Sequence, residues 1–170
     1  MVWLCQYRLF VAFETFLVIT QDLPDHTLPY KWPQSLNQGD STMERIWLKN
    51  YPPGVPHDID PNQYSSLTDM LESAFRAHGD SPFSVCMDRW MSYKELDELS
   101  KALGAWLQNQ GLEPGSRVAI MLPNLPQFAV TMAAILRAGY TCVNVNPLYT
   151  ARELKHQLKD SGACAIVILE

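Results

Sequence analysis

The residue types best able to bind a metal ion, or to act as a nucleophile or base, are few and scattered in this sequence. There are four cysteines and four histidines, namely Cys5, Cys86, Cys142, Cys164, His26, His57, His78 and His156. Because no CxxC spacing and no histidine-flanked cysteine pair occurs, the pattern predicts neither a zinc site nor a disulfide framework. We predict reduced thiols in the core of a cytoplasmic protein. His78, just before Gly79, is interpreted as a helix C-terminal residue.

Phosphate binding and acid–base catalysis have no signature in the sequence either. The eight glycines include no adjacent pair and no GxG, so neither a dinucleotide fingerprint nor a Walker loop can be written. The acidic residues of two predicted helices are interpreted as solvent-exposed side chains; they are Glu72, Glu95, Asp97 and Glu98. We therefore predict no catalytic, cofactor-binding or metal-binding residue in this chain.

Composition limits the class of protein further. The chain has 170 residues, 47% of them hydrophobic, and a net charge of −5. This length allows one domain, or one domain with an appendage. The hydrophobic content is that of a globular protein rather than a disordered one. The negative charge, with no run of Lys or Arg, argues against nucleic acid as the partner.

The predicted helices and strands begin at residue 65. Apolar residues at helical spacing predict a helix that ends at Gly79, with Ser66 and Asp69 at its start. Residues 83–87 and 90–92 then form a predicted hairpin across Asp88-Arg89. Ser92 and Glu95 stand at capping-box spacing and open the longest predicted helix, which Gly111 closes. Gly104 within that helix predicts a close packing partner, since glycine otherwise costs about 1 kcal/mol there relative to alanine.

The second half of the chain alternates strands and helices. The predicted strands are 117–122, 141–145 and 165–169; the predicted helices run to Ala138, with Asn124 as the cap and Pro126 in the first turn, and from Ala151 to Asp160. Gly139 is predicted to end the first of these helices in a left-handed conformation, and Thr150 with Glu153 to start the second. This alternation implies right-handed crossovers, and it predicts an α/β fold that is the start of a mostly parallel, helix-covered sheet.

The first 42 residues differ from the rest. Residues 9–19 are apolar but too short to cross a bilayer, which needs about twenty residues, and no signal-peptide cleavage site follows them. We consider an interfacial helix, a lipid-facing anchor, or a segment outside the true protein with Met43 as its start, and we favour the last. Seven of the twelve prolines lie between Gln21 and Asn62, which predicts an extended lead-in over residues 43–64.

Three segments resemble motifs of the acyl-adenylate-forming (AMP-binding) enzymes. Met91-Ser92-Tyr93-Lys94-Glu95-Leu96 resembles the early (T/S)YxEL motif of that superfamily. Arg117-Val118-Ala119-Ile120-Met121-Leu122-Pro123-Asn124 is similar to a DRVAIxxPN segment, with Ser116 in place of the usual acidic residue. Leu136-Arg137-Ala138-Gly139, followed by Val143 to Pro147, resembles (L/K)(K/R)AGxxxVPxxP. The order and spacing of the three make the resemblance strong, and residues 65–170 are identified as a partial AMP-binding α/β domain.

Within that superfamily the chain is most similar to bacterial long-chain fatty-acid CoA ligases. The similar segments are residues 143–154, 156–158 and 160–163, together with Ile46-Trp47-Leu48, Tyr51-Pro52 and Val55-Pro56 near the start. The likeness covers residues 43–170 and leaves out residues 1–42. It implies that the full-length enzyme uses ATP, Mg²⁺ and CoA to convert a fatty acid into acyl-CoA, AMP and pyrophosphate through an acyl-adenylate.

The family's chemical motifs are not found in the sequence. They are a Ser/Thr/Gly-rich loop ending in Lys for the ATP phosphates, an aromatic-Thr-Glu motif for Mg²⁺, a ribose-binding Asp and a C-terminal catalytic Lys. We therefore predict an inactive N-terminal fragment, about the first quarter to third of such a ligase, that binds none of these cofactors. The resemblance implies a cytoplasmic protein, and residues 9–19 allow contact with the inner face of the membrane.

An alternative function is a non-catalytic scaffold. If residues 166–169 form an unpaired and half-covered edge strand, that edge could recruit another chain by strand addition.

Overall fold

The computed structural model describes residues 16–20 and 44–169 of the chain. The described elements, in chain order, are β1 (Phe16–Thr20), a 3₁₀ helix (Ile46–Asn50), α1 (Leu67–His78), β2 (Pro82–Cys86), β3 (Arg89–Ser92), α2 (Tyr93–Gln108), β4 (Arg117–Met121), α3 (Pro126–Arg137), β5 (Thr141–Asn144), α4 (Ala151–Ser161) and β6 (Ala165–Leu169). Strands β1, β6, β4 and β5 form one sheet in that order, and β2 pairs with β3 in a separate hairpin.

Strand β4 is the centre of the sheet. It pairs in parallel with β5 on one side and with β6 on the other, which confirms the predicted parallel α/β arrangement. Val118 and Ile120 pack with residues of α2 and α3 on one face, while Ala119 packs towards α4 on the other. All three side chains are fully buried, as expected for a strand of a sheet covered by helices on both faces.

Most of the predicted helix ends and turns are formed. Ser92 and Thr150 cap α2 and α4, each in a reciprocal capping box with the glutamate three residues later. Gly139 has a φ of +85°, a conformation that a residue with a Cβ resists. These features were predictable because each depends on residues only a few positions apart.

Two local predictions were wrong. Helix α3 starts with Pro126 as predicted, but its N-cap is Leu125, which provides no side-chain hydrogen bond, and Asn124 does not cap it. The hairpin turn is formed by Met87 and Asp88 rather than by Asp88-Arg89. Both turn residues have positive φ, 48° and 62°, which matches the right-handed twist of the two strands.

The prediction for residues 9–19 can be compared with the structure only at residues 16–19, because residues 1–15 and 21–43 lie outside the described part. Residues 16–20 form strand β1, not a helix, and pair antiparallel with β6. The predicted unpaired edge at residues 166–169 is therefore wrong. Ile166 and Val167 are also buried rather than half covered. The sequence of β1, FLVIT, is rich in the β-branched and aromatic residues that favour strands.

The segment that leads into α1 lies on the surface. Residues 44–64 are exposed except for Leu48. Within this segment the Arg45 guanidinium donates to the two carboxylate oxygens of Asp58 at 2.7 and 3.2 Å, an exposed ion pair of the kind that contributes little to stability. Among the helices of the described residues, none combines the length and the apolar character required of a membrane span.

Candidate functional site at the carboxyl ends of the parallel strands

The carboxyl ends of β4 and β5 lie at the same edge of the sheet because the two strands are parallel. In open α/β sheets ligands bind outside this edge, so it is the first place to look for a site. Two hydrogen bonds fix the loop that follows β5: Val145 N donates to the backbone oxygen of Ile120 at 2.9 Å, and Leu148 N donates to the side-chain Oδ1 of Asn146 at 3.0 Å.

An apolar groove of about 650 Å³ runs from this edge along α4 and β6. Its walls are formed by Met121, Pro123, Pro147, Leu148, Leu154, Leu158, residues 163–166, Ile168 and Leu169. None of these residues carries a charge. The groove can accommodate apolar surface, but its side chains offer neither a cation for a phosphate nor a carboxylate for a metal ion.

Among residues 16–20 and 44–169 there is no group of three or more His, Cys, Asp or Glu side chains that could hold a metal ion. The described cysteines, Cys86, Cys142 and Cys164, are free and partly buried. Burial raises the pKa of the Cys142 thiol to about 11, so this thiol is neutral at physiological pH and is a poor nucleophile. Cys5 lies outside the described residues.

The main polar cluster of the described chain is built around Arg137 at the end of α3. Its guanidinium donates to the Glu72 carboxylate at 2.8 Å, to the Asp97 carboxylate at 2.6 Å and to the Ser100 hydroxyl at 2.7 Å. The guanidinium carbon also lies 4.9 Å from the centre of the Phe75 ring, within cation–π distance. This Arg137 cluster (Glu72, Phe75, Asp97, Ser100 and Arg137) joins α1, α2 and α3.

The interpretation of Glu72 and Asp97 as solvent-exposed side chains is therefore wrong. Their side chains are 33% and 21% exposed, against 8% for Arg137. The signal that could have found them lies in α3, where Arg137 is the single charged residue of an otherwise apolar or neutral helix. A guanidinium in such a helix needs carboxylate partners when it is buried.

The protonation state of Asp97 fits a structural role. Partial burial raises the pKa of its carboxyl, but hydrogen bonds and charges from Lys101 and Arg137 outweigh burial, and the pKa is lowered overall. The carboxylate therefore stays ionised at neutral pH. It accepts hydrogen bonds from the Lys101 and Arg137 side chains and is not placed to transfer protons.

The three segments that carry the family resemblance all lie in the scaffold. Ser92 caps α2, residues 117–121 form the central strand, and Arg137 with Gly139 ends α3 and holds the three helices together. Gly104 has the close partner that was predicted, since a Cβ at this position would lie 3.1 Å from the Ala134 carbonyl oxygen of α3.

Comparison with known proteins identifies the family to which these elements belong. A family model described as AMP-binding enzyme matches residues 71–170. Long-chain-fatty-acid–CoA ligases of Yersinia pestis and Escherichia coli O157:H7 are each 52% identical to this chain over 128 residues, 75% of this chain. The solved N-terminal subdomain of Klebsiella oxytoca NpsA, in complex with anthranilyl-AMSN, is 30% identical over 59% of this chain and 27% of that one, with a TM-score of 0.57.

The chain spans 23% of the length of the two ligases that it matches. The family model nevertheless covers more than half of this chain and includes the parallel strands, α2, α3 and all five residues of the Arg137 cluster. The chain therefore belongs to the AMP-binding enzyme family.

Proposed function

We propose that this chain supplies the N-terminal part of the adenylate-forming domain of a long-chain fatty-acid CoA ligase. The observation that carries this proposal is the 52% identity to ligases of that name over 128 residues. In the proposed organisation residues 65–170 are the partial AMP-binding domain, residues 43–64 are its lead-in, and residues 1–42 are an extension outside the family. The proposed cellular location is the cytoplasm.

The reaction proposed for the complete enzyme joins a fatty acid to CoA through an acyl-adenylate, with ATP converted to AMP and pyrophosphate in the presence of Mg²⁺. The residues described here do not fit the phosphates or the metal ion, because the groove at the strand ends has no charged wall. We therefore assign them a supporting role: β4 and its neighbours form the base of the domain, and the Arg137 cluster fixes the helices on one face. No residue is assigned to catalysis, cofactor binding or metal binding.

A chimaera tests this assignment. Residues 43–170 would replace the matching segment of the Escherichia coli ligase, and acyl-CoA formation from a long-chain fatty acid would be measured. We expect the chimaera to retain the activity, since about half of the aligned residues are identical. A well-folded chimaera that makes no acyl-CoA would contradict the proposal.

Two variants of the chimaera control for folding. Arg137→Met breaks the Arg137 cluster and should reduce the yield of active enzyme. Arg76→Met removes an exposed guanidinium whose described partner is the Ser73 hydroxyl, at 3.1 Å, and should leave activity unchanged. Equal activity of the two variants would contradict the supporting role of the cluster.

A further inference from the structure

The outer edge of β6 is the edge that faces away from β4, and its backbone groups need hydrogen-bond partners. The sequence of this strand is AIVIL. Charged residues, prolines and bulges protect edge strands from pairing with other chains, and β6 has none of these features. Ile166 and Val167 are buried, and β4 occupies the inner edge. An uncovered β6 would therefore offer an apolar edge to any extended segment.

In this chain the edge is occupied by β1. The pairing is antiparallel and continuous over five residues, from Phe16 opposite Leu169 to Thr20 opposite Ala165. Strand β1 lies well before residue 71, where the family match begins. The strand that completes the sheet is thus contributed by a part of the chain that the family model does not cover.

We propose that the outer edge of β6 is a strand-accepting surface, and that residues 16–20 fill it as an intramolecular edge strand that prevents self-association. The structure identifies residues 16–20 as the segment that fills this edge, because all five of them pair with the five residues of β6. Neither segment contains a charged residue. This role is independent of the ligase reaction.

A designed disulfide tests the register in the full-length chain. Phe16 and Leu169 are directly paired, and Cα atoms of paired antiparallel residues lie about 4.5–5.5 Å apart, within the range of a disulfide. We expect the double variant Phe16→Cys/Leu169→Cys to form an intramolecular disulfide between these positions, identified by peptide mass spectrometry. Leu169 is 41% exposed, so its replacement does not disturb the buried core.

The matched control is Thr20→Cys/Leu169→Cys. Thr20 is four residues out of register, roughly 13 Å along the strand, and should not cross-link to position 169. Equal cross-linking in both double variants, or none in either, would overturn the proposed pairing. A disulfide found only between two molecules would mean that a second copy supplies the strand, which would overturn the intramolecular role.

A second experiment tests the protective role. Leu17→Pro/Val18→Pro removes two successive backbone N–H donors from β1. Because successive N–H groups of a strand point to opposite sides, one of the two must donate to β6. We expect the amides of β6 to lose their protection from hydrogen exchange and the protein to sediment as larger species than the wild type. The control Leu17→Ile/Val18→Ile keeps the donors and should behave as the wild type. If the proline variant keeps both the protection and the sedimentation of the wild type, the proposal is wrong.

Discussion

Replacing Arg137 by methionine should destabilise the chain more than any change to an exposed cation. The substitution keeps most of the side-chain volume but leaves Glu72 and Asp97 without their shared guanidinium. Removing one partner of a buried ion pair costs about 3–5 kcal/mol. Because the two carboxylates are 33% and 21% exposed, water compensates for part of this loss, and we expect about 3 kcal/mol.

That loss is a large share of the roughly 5–15 kcal/mol that stabilises a domain. It corresponds to a fall of about 10 °C in the melting temperature of a domain of this size. Urea unfolding followed by circular dichroism and tryptophan fluorescence would measure it, with coincident transitions as the test of two-state behaviour.

Two variants make the measurement specific. Arg76→Met, on the exposed side of α1, should change the free energy of unfolding by less than about 0.5 kcal/mol. Arg137→Lys keeps the charge but loses the planar fork that serves both carboxylates, so its stability should lie between those of Arg137→Met and the wild type. If Arg137→Met unfolds at the same urea concentration as Arg76→Met, the cluster does not hold the three helices together.

Three further predictions rest on other contacts. Gly104→Ala should destabilise the chain in urea unfolding despite the better helix propensity of alanine, because the new Cβ would lie 3.1 Å from the fixed carbonyl of Ala134; a gain in stability would show that α2 and α3 can move apart. The lowered pKa of Asp97 means that its contribution is complete above its unfolded pKa of about 3.9 and is lost as the pH falls through the lower folded value, so Asp97→Asn should flatten the acid limb of the stability curve, and an unchanged limb would contradict this. Iodoacetamide at neutral pH should alkylate Cys142, whose pKa is about 11, at least about 100-fold more slowly in the native than in the denatured chain; equal rates would contradict its burial.

Local patterns predicted most of the fold. The capping boxes at Ser92 and Thr150 and the left-handed Gly139 each follow from residues within one or two helical turns, whose geometry leaves few alternatives. The cost of Gly104 in a helix predicted a close packing partner, but not that the partner is Ala134 of α3. The alternation of strands and helices then predicted parallel pairing. Each helix is long enough to carry the chain back to the end of the sheet where the preceding strand began, through a right-handed crossover.

Long-range pairing could not be predicted in the same way. Arg137 meets Glu72 and Asp97 from other helices, and nothing in the local spacing of the two carboxylates distinguishes them from solvent-exposed acids such as Glu98. The partner of β6 is likewise a segment near the other end of the chain. Which two elements meet is decided by the burial of the whole sheet, not by the sequence of either element.

We propose that these residues provide the base of an adenylate-forming domain and not its phosphate chemistry. The decisive measurement is ATP–pyrophosphate exchange by the 170-residue chain, with Mg²⁺ and a long-chain fatty acid, and with the Escherichia coli ligase as the positive control. We expect exchange by the control and none above the blank for this chain. Fatty-acid-dependent exchange by the chain alone would contradict it.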